Sequence, residues 1–503
     1  MFLFRDLKDF IKSQNLKIII AADAEPRVSK LVKGKSVLTI PAGGVAVAFD
    51  PIACASNAVF VGRGKAEEEN LSGSKRFTVE DPRGNYTLNR IFISKEEMDD
   101  YYYGFSNQTL WPMCHVTFER PEFKDNWYEG FKKVNQKFAK AIKEEIKGKT
   151  FIWLNDYQLS LVPKYIGKQK DVTIGMFWHI PWPTWEVFRI LPQKKEILES
   201  LLSCDFIAFH RGYQARNFIN TIKREFEARI DLETNRVFFN GNVTTVKNLP
   251  MGIDTDLLSS HLEKDKEDTF LAKIVKKMMH LDINDNSDKR FDTLFKKNKI
   301  ILGVDRLDYT KGLRLRLLAL DKFFEKNKNY IGKVSYLGIL APSREKIYSY
   351  GLLKKEIRDL EKEINNKYET KNWKPINIIY EVFPRDEILK FYKNASLCLV
   401  TPLDDGMNLV SKEFVIATSF SADPGMIVLS QFAGSSIDLT RALIVNPYNI
   451  EEVANAIKRG LEMNVKEKVE RIQTMKETLE ERNIYEWTQN FIKSTIQANK
   501  QYD

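Results

Sequence analysis

The sequence predicts an α/β fold of two Rossmann-like, doubly wound domains that face each other across a cleft. Three observations carry the prediction. Short apolar runs rich in β-branched residues alternate with longer stretches of helical period. The runs fall into two sets, parted by a Pro- and Gly-bearing segment, Asn248-Leu249-Pro250-Met251-Gly252-Ile253-Asp254, and by a charged stretch from Glu263 to Lys297. The chain has 503 residues, and at about 100–200 residues per domain that leaves room for two to four domains with cores of their own.

In the first set the predicted strands are KIIIAA (17–22), TFIWL (150–154), VTIGMFW (172–178) and DFIAF (205–209). In the second they are KIILGV (299–304), VSYLGIL (334–340), INIIY (376–380), LCLV (397–400) and MIVL (426–429). Runs this short, apolar throughout and separated by helices suit parallel strands buried on both faces. The helix ahead of TFIWL shows the other period. Trp127, Phe131, Val134, Phe138, Ile142 and Ile146 fall three or four apart, with Lys and Glu between them. A last apolar helix is expected over IYEWTQNFIKSTI, 484–496, and a surface loop over NDNSDKR, 284–290. In an open α/β sheet, ligands bind beyond the carboxyl ends of the strands. Two such edges set face to face would hold two substrates against each other with water excluded.

Hydrophobic residues make up 43% and charged residues 29%, a globular balance that excludes wholesale disorder. The net charge of +10 favours anionic partners. Bases and acids alternate, however, as in KKEIRDLE at 354–361. That pattern reads as solvated helix faces and argues against nucleic acid. Among Cys54, Cys114, Cys204 and Cys398 no pair has CxxC spacing, so neither a zinc knuckle nor a redox pair is expected. The start carries charge by Arg5, and no apolar run approaches the roughly 18–20 residues of a membrane span. A reduced, cytoplasmic protein without membrane contact is expected; a homo-oligomer is compatible with it.

The chemistry should sit at the strand ends. KIILGV runs into Asp305-Arg306-Leu307-Asp308-Tyr309-Thr310-Lys311-Gly312. Arg306 and Lys311, beside a glycine near a helix start, suit a diphosphate; a loop salt-bridged by Asp305 and Asp308 is the alternative. LCLV runs into Thr401-Pro402-Leu403-Asp404-Asp405-Gly406-Met407-Asn408-Leu409-Val410-Ser411-Lys412-Glu413. There Gly406 permits close backbone approach and Asn408 can cap the following helix. Glu413 suits a ribose diol, or equally an ion pair with Lys412. In the first set, TFIWL ends in Asn155-Asp156-Tyr157-Gln158 and VTIGMFW in His179-Ile180-Pro181-Trp182-Pro183, a Pro-X-Pro turn that would hold His179 rigidly. Tyr101, Tyr102 and Trp111 are candidates for stacking on a sugar, against a plain core role. Arg344 in LAPSREK is a further strand-end cation, and Ala42-Gly43-Gly44-Val45-Ala46 a small-residue turn.

Together these segments resemble the trehalose-6-phosphate synthase family of retaining GT-B glycosyltransferases. The matching pieces are FSNQTLWP, DYQL, FWHIPWP, VDRLDYTKGL, LAPSRE, DGMNLVSKEFV, LSQFAGS and ALIVNPY, in family order over about residues 85–490. AGGVA and VFVGRG match more loosely nearer the start.

The resemblance implies transfer of glucose, with retention, from a nucleotide-diphosphate glucose, UDP-glucose first among them, to glucose 6-phosphate. It implies an acceptor-binding domain over residues 1–254, with the helix at 484–498 packing back on it, and a nucleotide-sugar domain over 255–483. Carried over by motif, Arg306 and Lys311 would bind the donor diphosphate and Glu413 the ribose. Asp405 and the backbone of Gly406, Met407, Asn408, Leu409 and Val410 would hold the donor glucose. Gly44 would approach the phosphates, and His179 would lie at the reacting glucose. Tyr102, Trp111, Asp156 and Arg344 would form the acceptor site. Cations at the diphosphate would make a metal ion dispensable, and no covalent enzyme nucleophile is implied. The sequence departs from the family at three places. Ala21-Ala22-Asp23 stands where Ser-Asn-Arg is usual, Asn155 where a histidine is, and Asp404 where an arginine precedes Asp-Gly-Met-Asn. Arg27 is expected to stand in for the first missing arginine. A sister enzyme with another acceptor, or a non-catalytic homologue, is the alternative.

Overall fold

The computed structural model describes residues 2–32, 35–40, 45–64, 75–263, 298–371 and 373–500. Gly44, most of the 263–297 stretch and the loop at 284–290 lie outside them. The chain divides into two compact units: residues 1–252 with 482–503, and residues 253–481.

In the first unit the strands are β1 (Lys17–Ala24), β2 (Val28–Val32), β3 (Lys35–Thr39), β4 (Val59–Arg63), β5 (Arg76–Val79), β6 (Tyr86–Ile91), β7 (Thr150–Asn155), β8 (Val172–Trp178), β9 (Phe206–Phe209), β10 (Arg229–Asp231), β11 (Arg236–Phe239) and β12 (Asn242–Asn248). β2 and β3 form a separate hairpin; the other ten make one sheet in the order β10-β11-β12-β9-β8-β7-β1-β4-β6-β5. From β12 to β6 the neighbours are parallel, with antiparallel pairs only at the edges. All six residues of β7 are buried, as a strand covered on both faces requires. The helix Asp125–Glu145 buries Trp127, Phe131, Val134, Phe138 and Ile142 of the predicted stripe, whose last member, Ile146, follows the helix and is half-buried. The helix Ile484–Lys500 returns to the same sheet. Phe491 stacks on Trp153 at 4.4 Å, and Trp487 Nε1 donates to Leu249 O at 3.1 Å. Gly175 in β8 permits this, since an added Cβ would lie 3.1 Å from the Phe491 ring.

The second unit has β13 (Lys299–Arg306), β14 (Val334–Ala341), β15 (Ile376–Ile379), β16 (Leu397–Val400), β17 (Met426–Ser430) and β18 (Leu443–Val445). Their order is β15-β14-β13-β16-β17-β18, all parallel. Renumbered within the unit, that is 3-2-1-4-5-6, the doubly wound order. Its winding reverses between β13 and β16, and a crevice opens there at the carboxyl ends. The parallel core of the first unit reverses in the same way between β1 and β7. Topology alone thus marks the chain after β13 and β16, and after β1 and β7, as the places for ligands.

Candidate active site

At the β13/β16 switch point the chain is drawn tight. Gly312 adopts φ +66°, and a Cβ there would meet Thr401 O at 2.3 Å, so the turn after β13 lies against the end of β16. Leu403 N donates to Thr310 O at 2.7 Å. Arg316, fully buried, ties the same two ends together. It donates to Asp305 Oδ2 at 2.7 Å, Thr401 Oγ1 at 2.9 Å and Lys311 O at 3.2 Å.

Three cations gather on this scaffold. Lys311 Nζ lies 2.6 Å from Asp405 Oδ2, which also accepts from Asn408 Nδ2 at 3.1 Å. Arg306 Nη2 and Arg344 Nη1 lie 3.4 and 3.3 Å from the same oxygen, Asp308 Oδ2. Tyr350 OH donates to that oxygen as well, at 3.3 Å. The other oxygen of Asp308 accepts from Thr310 N and Oγ1. Burial by itself would raise the Asp308 carboxyl; the charges of Arg306, Arg344 and Lys311 overcome it and hold the group at about 2. The arginines therefore stay organised around a permanent anion. Arg344 is buried, but the Arg306 side chain keeps 41% of its surface exposed.

Beyond β16, Asn408 takes φ +75° and caps the helix Leu409–Thr418 by accepting from Ser411 N at 3.0 Å. The backbone from Asp405 to Met407 is fixed from the side, because Gly434 N donates to Asp405 O and Ser435 N to Met407 O. Lys412 is taken up by Asp438 in a fully buried pair at 2.7 Å. Glu413 is thereby left to another partner, Arg385 Nη2, at 2.8 Å on Oε1. Its Oε2 has no hydrogen-bond partner among the described residues.

At the β1/β7 switch point of the first unit, Asp156 has φ +72°, a strained value for a residue with a side chain. Its Oδ1 accepts from Tyr157 N at 3.0 Å and from His179 N at 3.1 Å, joining the ends of β7 and β8. His179 Nε2 lies 3.2 Å from Asn155 Oδ1. The Asn155 amide is oriented by its own Nδ2 donating to Ala21 O at 3.2 Å. Nε2 must then carry the imidazole proton, and Nδ1 is an acceptor. That Nδ1 is buried with no partner among the described residues. Burial lowers the His179 pKa to about 3, so the ring stays neutral and accepts a hydrogen bond rather than donating a proton. Trp111 packs at 4.0 Å on His115 and 6.0 Å on Tyr157, next to Asp156.

Residues 15–497 match the family described as glycosyltransferase family 20. The chain belongs to that family. Among its relatives, the UDP-forming alpha,alpha-trehalose-phosphate synthase of Candida albicans is 33% identical over 83% of this chain and 84% of its own length. The Zygosaccharomyces rouxii enzyme of the same name is 30% identical over 96% of both. Of solved structures, the Escherichia coli protein bound with UDP-2-fluoro glucose superposes with TM-score 0.80 at 28% identity, over 95% of this chain and 98% of that one. The Burkholderia xenovorans synthase in complex with glucose-6-phosphate gives 0.81 at 29%, over 95% and 100%.

Within this family 20 member, the structure brings Arg306, Lys311 and Asp405 together as one set, with Gly406, Met407, Asn408, Leu409 and Val410 continuing from Asp405. It brings Asp156 and His179 together as another. Arg344 sits in the second unit beside Arg306, on the same oxygen of Asp308. Arg27 requires a correction. It does not approach Asp23. After Pro26 the chain carries Arg27 to Asp50 and Asp81, in a group built around Tyr86, the first residue of β6. The cation on Asp23 is Arg63, from the end of β4. Arg83 joins the Asp50–Asp81 group. Asp50, Cys54 and Asp81 place ligand-type atoms within 4.8 Å of one another, but the two guanidiniums already hold the oxygens. Burial and then the Asp50 and Asp81 charges push the Cys54 thiol up to about 12, so this trio is an arginine site in character.

Asp308, Arg316, Asn155 and Arg63 escaped the sequence as site residues. For Asp308 a signal was present: a carboxylate two residues after Arg306 and three before Lys311. One of the two arginines inside LRLRLL and an asparagine closing a strand carry none.

Proposed function

We propose that the chain is a UDP-forming alpha,alpha-trehalose-phosphate synthase, a retaining glucosyltransferase that moves glucose from UDP-glucose to glucose 6-phosphate. The observation that carries this is the Arg306–Asp308–Arg344 and Lys311–Asp405 constellation at the β13/β16 switch point, where a doubly wound sheet takes its ligand. The names of the relatives and the UDP-glucose analogue and glucose-6-phosphate of the solved neighbours point to the same substrates. The second unit takes the donor and the first unit the acceptor. Breaking the sugar–phosphate bond builds negative charge on the diphosphate, and Arg306 and Lys311 are the groups placed to meet it. Asp405, fixed by Lys311 and Asn408, faces the donor glucose together with the backbone that follows it. His179, neutral and with Nδ1 open, accepts a hydrogen bond from a hydroxyl of the reacting glucose. Asp156 holds the adjoining backbone and, with Tyr102 and Trp111, serves the acceptor. The departing phosphate oxygen takes the acceptor's proton, so no carboxylate nucleophile is required and the two-carboxylate scheme of glycosidases does not apply.

No resident metal enters this scheme, because side-chain cations supply the charge at the diphosphate. Nucleotide release from UDP-glucose and glucose 6-phosphate is expected to persist with chelator present. Complete loss that magnesium restores would overturn the metal-free scheme, and no release with any sugar phosphate would overturn the function.

Glu413 Oε2 is open while Oε1 is held by Arg385, so the carboxylate is set to accept from a ribose diol. Glu413→Gln should raise the donor KM about tenfold, the scale of weakening a charged hydrogen bond, and leave the acceptor KM nearly unchanged. Steady-state kinetics with each substrate varied in turn checks this; equal shifts in both would make Glu413 a structural residue. No helix among the described residues is long and apolar enough to cross a membrane. All four cysteines are buried free thiols, which is compatible with a reducing setting.

A further inference from the structure

At the end of β1 the register slips between Ala22 and Ala24, so Asp23 is the bulged residue opposite the end of β4. Its carboxylate grips Arg63 side-on: Nε donates to Oδ1 and Nη2 to Oδ2, each at 2.8 Å. Tyr101 OH donates to Oδ1 at 3.0 Å. The ring of Tyr102 lies 5.2 Å from the guanidinium carbon, closing one side of it. The exposures differ within the pair, 7% for the Asp23 side chain and 15% for Arg63. The carboxylate is thus the buried anchor and the guanidinium the outer member.

Side-on pairing leaves the other edge of the guanidinium unused. Nη1 has no hydrogen-bond partner among the described residues, and Nη2 keeps a second hydrogen. Those two amino groups form the end-on fork that matches two oxygens of a phosphate or carboxylate. The neighbouring arginines are committed elsewhere. Arg90 is fully buried on Glu25 and Ser29, and Arg27 lies in the Asp50–Asp81 group. Arg63 also stands next to the switch point: β4 pairs with β1, which pairs with β7, whose end carries Asn155 and Asp156.

We propose that Arg63 is the residue of the first unit that recognises the anionic group of the acceptor, with Asp23 as its positioning residue. This rests on the chain transferring glucose to a sugar phosphate. Arg63 attracts the phosphate through its outer fork, while Asp23, one guanidinium further in, fixes the fork and opposes the incoming charge. The two members of one ion pair therefore have opposite effects on acceptor affinity. A pair that only held the strand ends together would show the same sign for both.

The test is the Kd of glucose 6-phosphate by titration calorimetry, with glucose as the uncharged probe, beside acceptor and donor KM and the melting temperature. Arg63→Gln should raise the Kd and acceptor KM for glucose 6-phosphate at least roughly tenfold, as loss of a charged fork requires, with donor KM unchanged. Arg63→Lys should recover part of the loss. Asp23→Asn, which keeps an acceptor oxygen and removes the charge, should lower the Kd below the parent's. If the parent binds glucose 6-phosphate and Arg63→Gln leaves its Kd unmoved, or if both substitutions weaken binding alike, the role given to Arg63 fails and the function stands. If the parent neither binds nor glucosylates glucose 6-phosphate while releasing UDP to another acceptor, the acceptor assignment fails and this proposal with it.

Discussion

Lys311→Ala is expected to lower kcat by about 10²–10³, the loss that follows from removing one preorganised donor to a developing charge. Lys311 is preorganised in a specific way. Its turn, Tyr309–Lys311, is capped by Asp308, its carbonyl accepts from the buried Arg316, and its ammonium is fixed at 2.6 Å on Asp405. Such a group needs no reorganisation as the diphosphate takes on charge. Arg306→Ala should cost less, near 10², because Arg306 is the more exposed of the two and lies 3.4 Å from its carboxylate where Lys311 lies 2.6 Å from its own. Stability should change little in either case, since Asp405 keeps Asn408 and Asp308 keeps Arg344. Turnover at saturating donor and acceptor, with a thermal melt of each variant, checks the pair. Near-parental turnover in either would remove that residue from the diphosphate site.

Asp308→Ala is expected to lower the stability of the second unit strongly. Its carboxylate is fully buried between Arg306, Arg344, Tyr350 and Thr310. Removing one partner of a buried pair costs about 3–5 kcal/mol, because the remaining charge loses its counter-ion. At about 2–4 °C per kcal/mol for a unit of this size, melting should fall by about 6–20 °C. Donor KM should rise as well, since Arg306 and Arg344 lose the oxygen they share. The pH dependence has a definite sign. The folded carboxyl titrates at about 2, below the ordinary 3.8, so its contribution is present in full above the unfolded value and is lost as pH falls through about 2. Over that window it amounts to about 2 kcal/mol. Melting of the parent between pH 4 and pH 2 should steepen by this amount relative to Asp308→Asn; parallel curves would contradict the electrostatic role.

The nine strands legible in the sequence were those whose every residue is apolar or nearly so, such as TFIWL and MIVL. β6 was missed because Asn89 and Arg90 interrupt it, yet both are buried: Asn89 donates to Glu145 and Arg90 grips Glu25. Polar residues satisfied by distant carboxylates look like a loop in one dimension. The site divides in the same way. Arg306, Lys311 and Glu413 were legible because each belongs to a motif that runs on from an apolar strand: Arg306 closes β13, Lys311 stands in the turn after it, and Glu413 lies in the helix that follows β16. The partner of Asp23 was not, because Arg63 lies 40 residues away and meets it only once β1 and β4 are paired. Arg27, four residues on, was the nearer candidate, and Asp50 and Asp81 hold it elsewhere.

The return of the helix Ile484–Lys500 to the sheet of the first unit has a bearing on synthesis. The ribosome completes the whole second unit before that helix exists. At roughly 5–20 residues per second, the delay is about 10–50 s. Through that interval the faces of Trp153 and Phe177 that Phe491 and Trp487 later cover stay open to water. Ile484, Trp487, Phe491 and Ile492 all end fully or nearly buried, and at about 1.5–3 kcal/mol per large apolar side chain they withhold roughly 6–12 kcal/mol until the last turn is made. The second unit is thus synthesised in full while the sheet of the first unit still lacks the helix that covers it, and the open aromatic face is exposed to misassociation for that time.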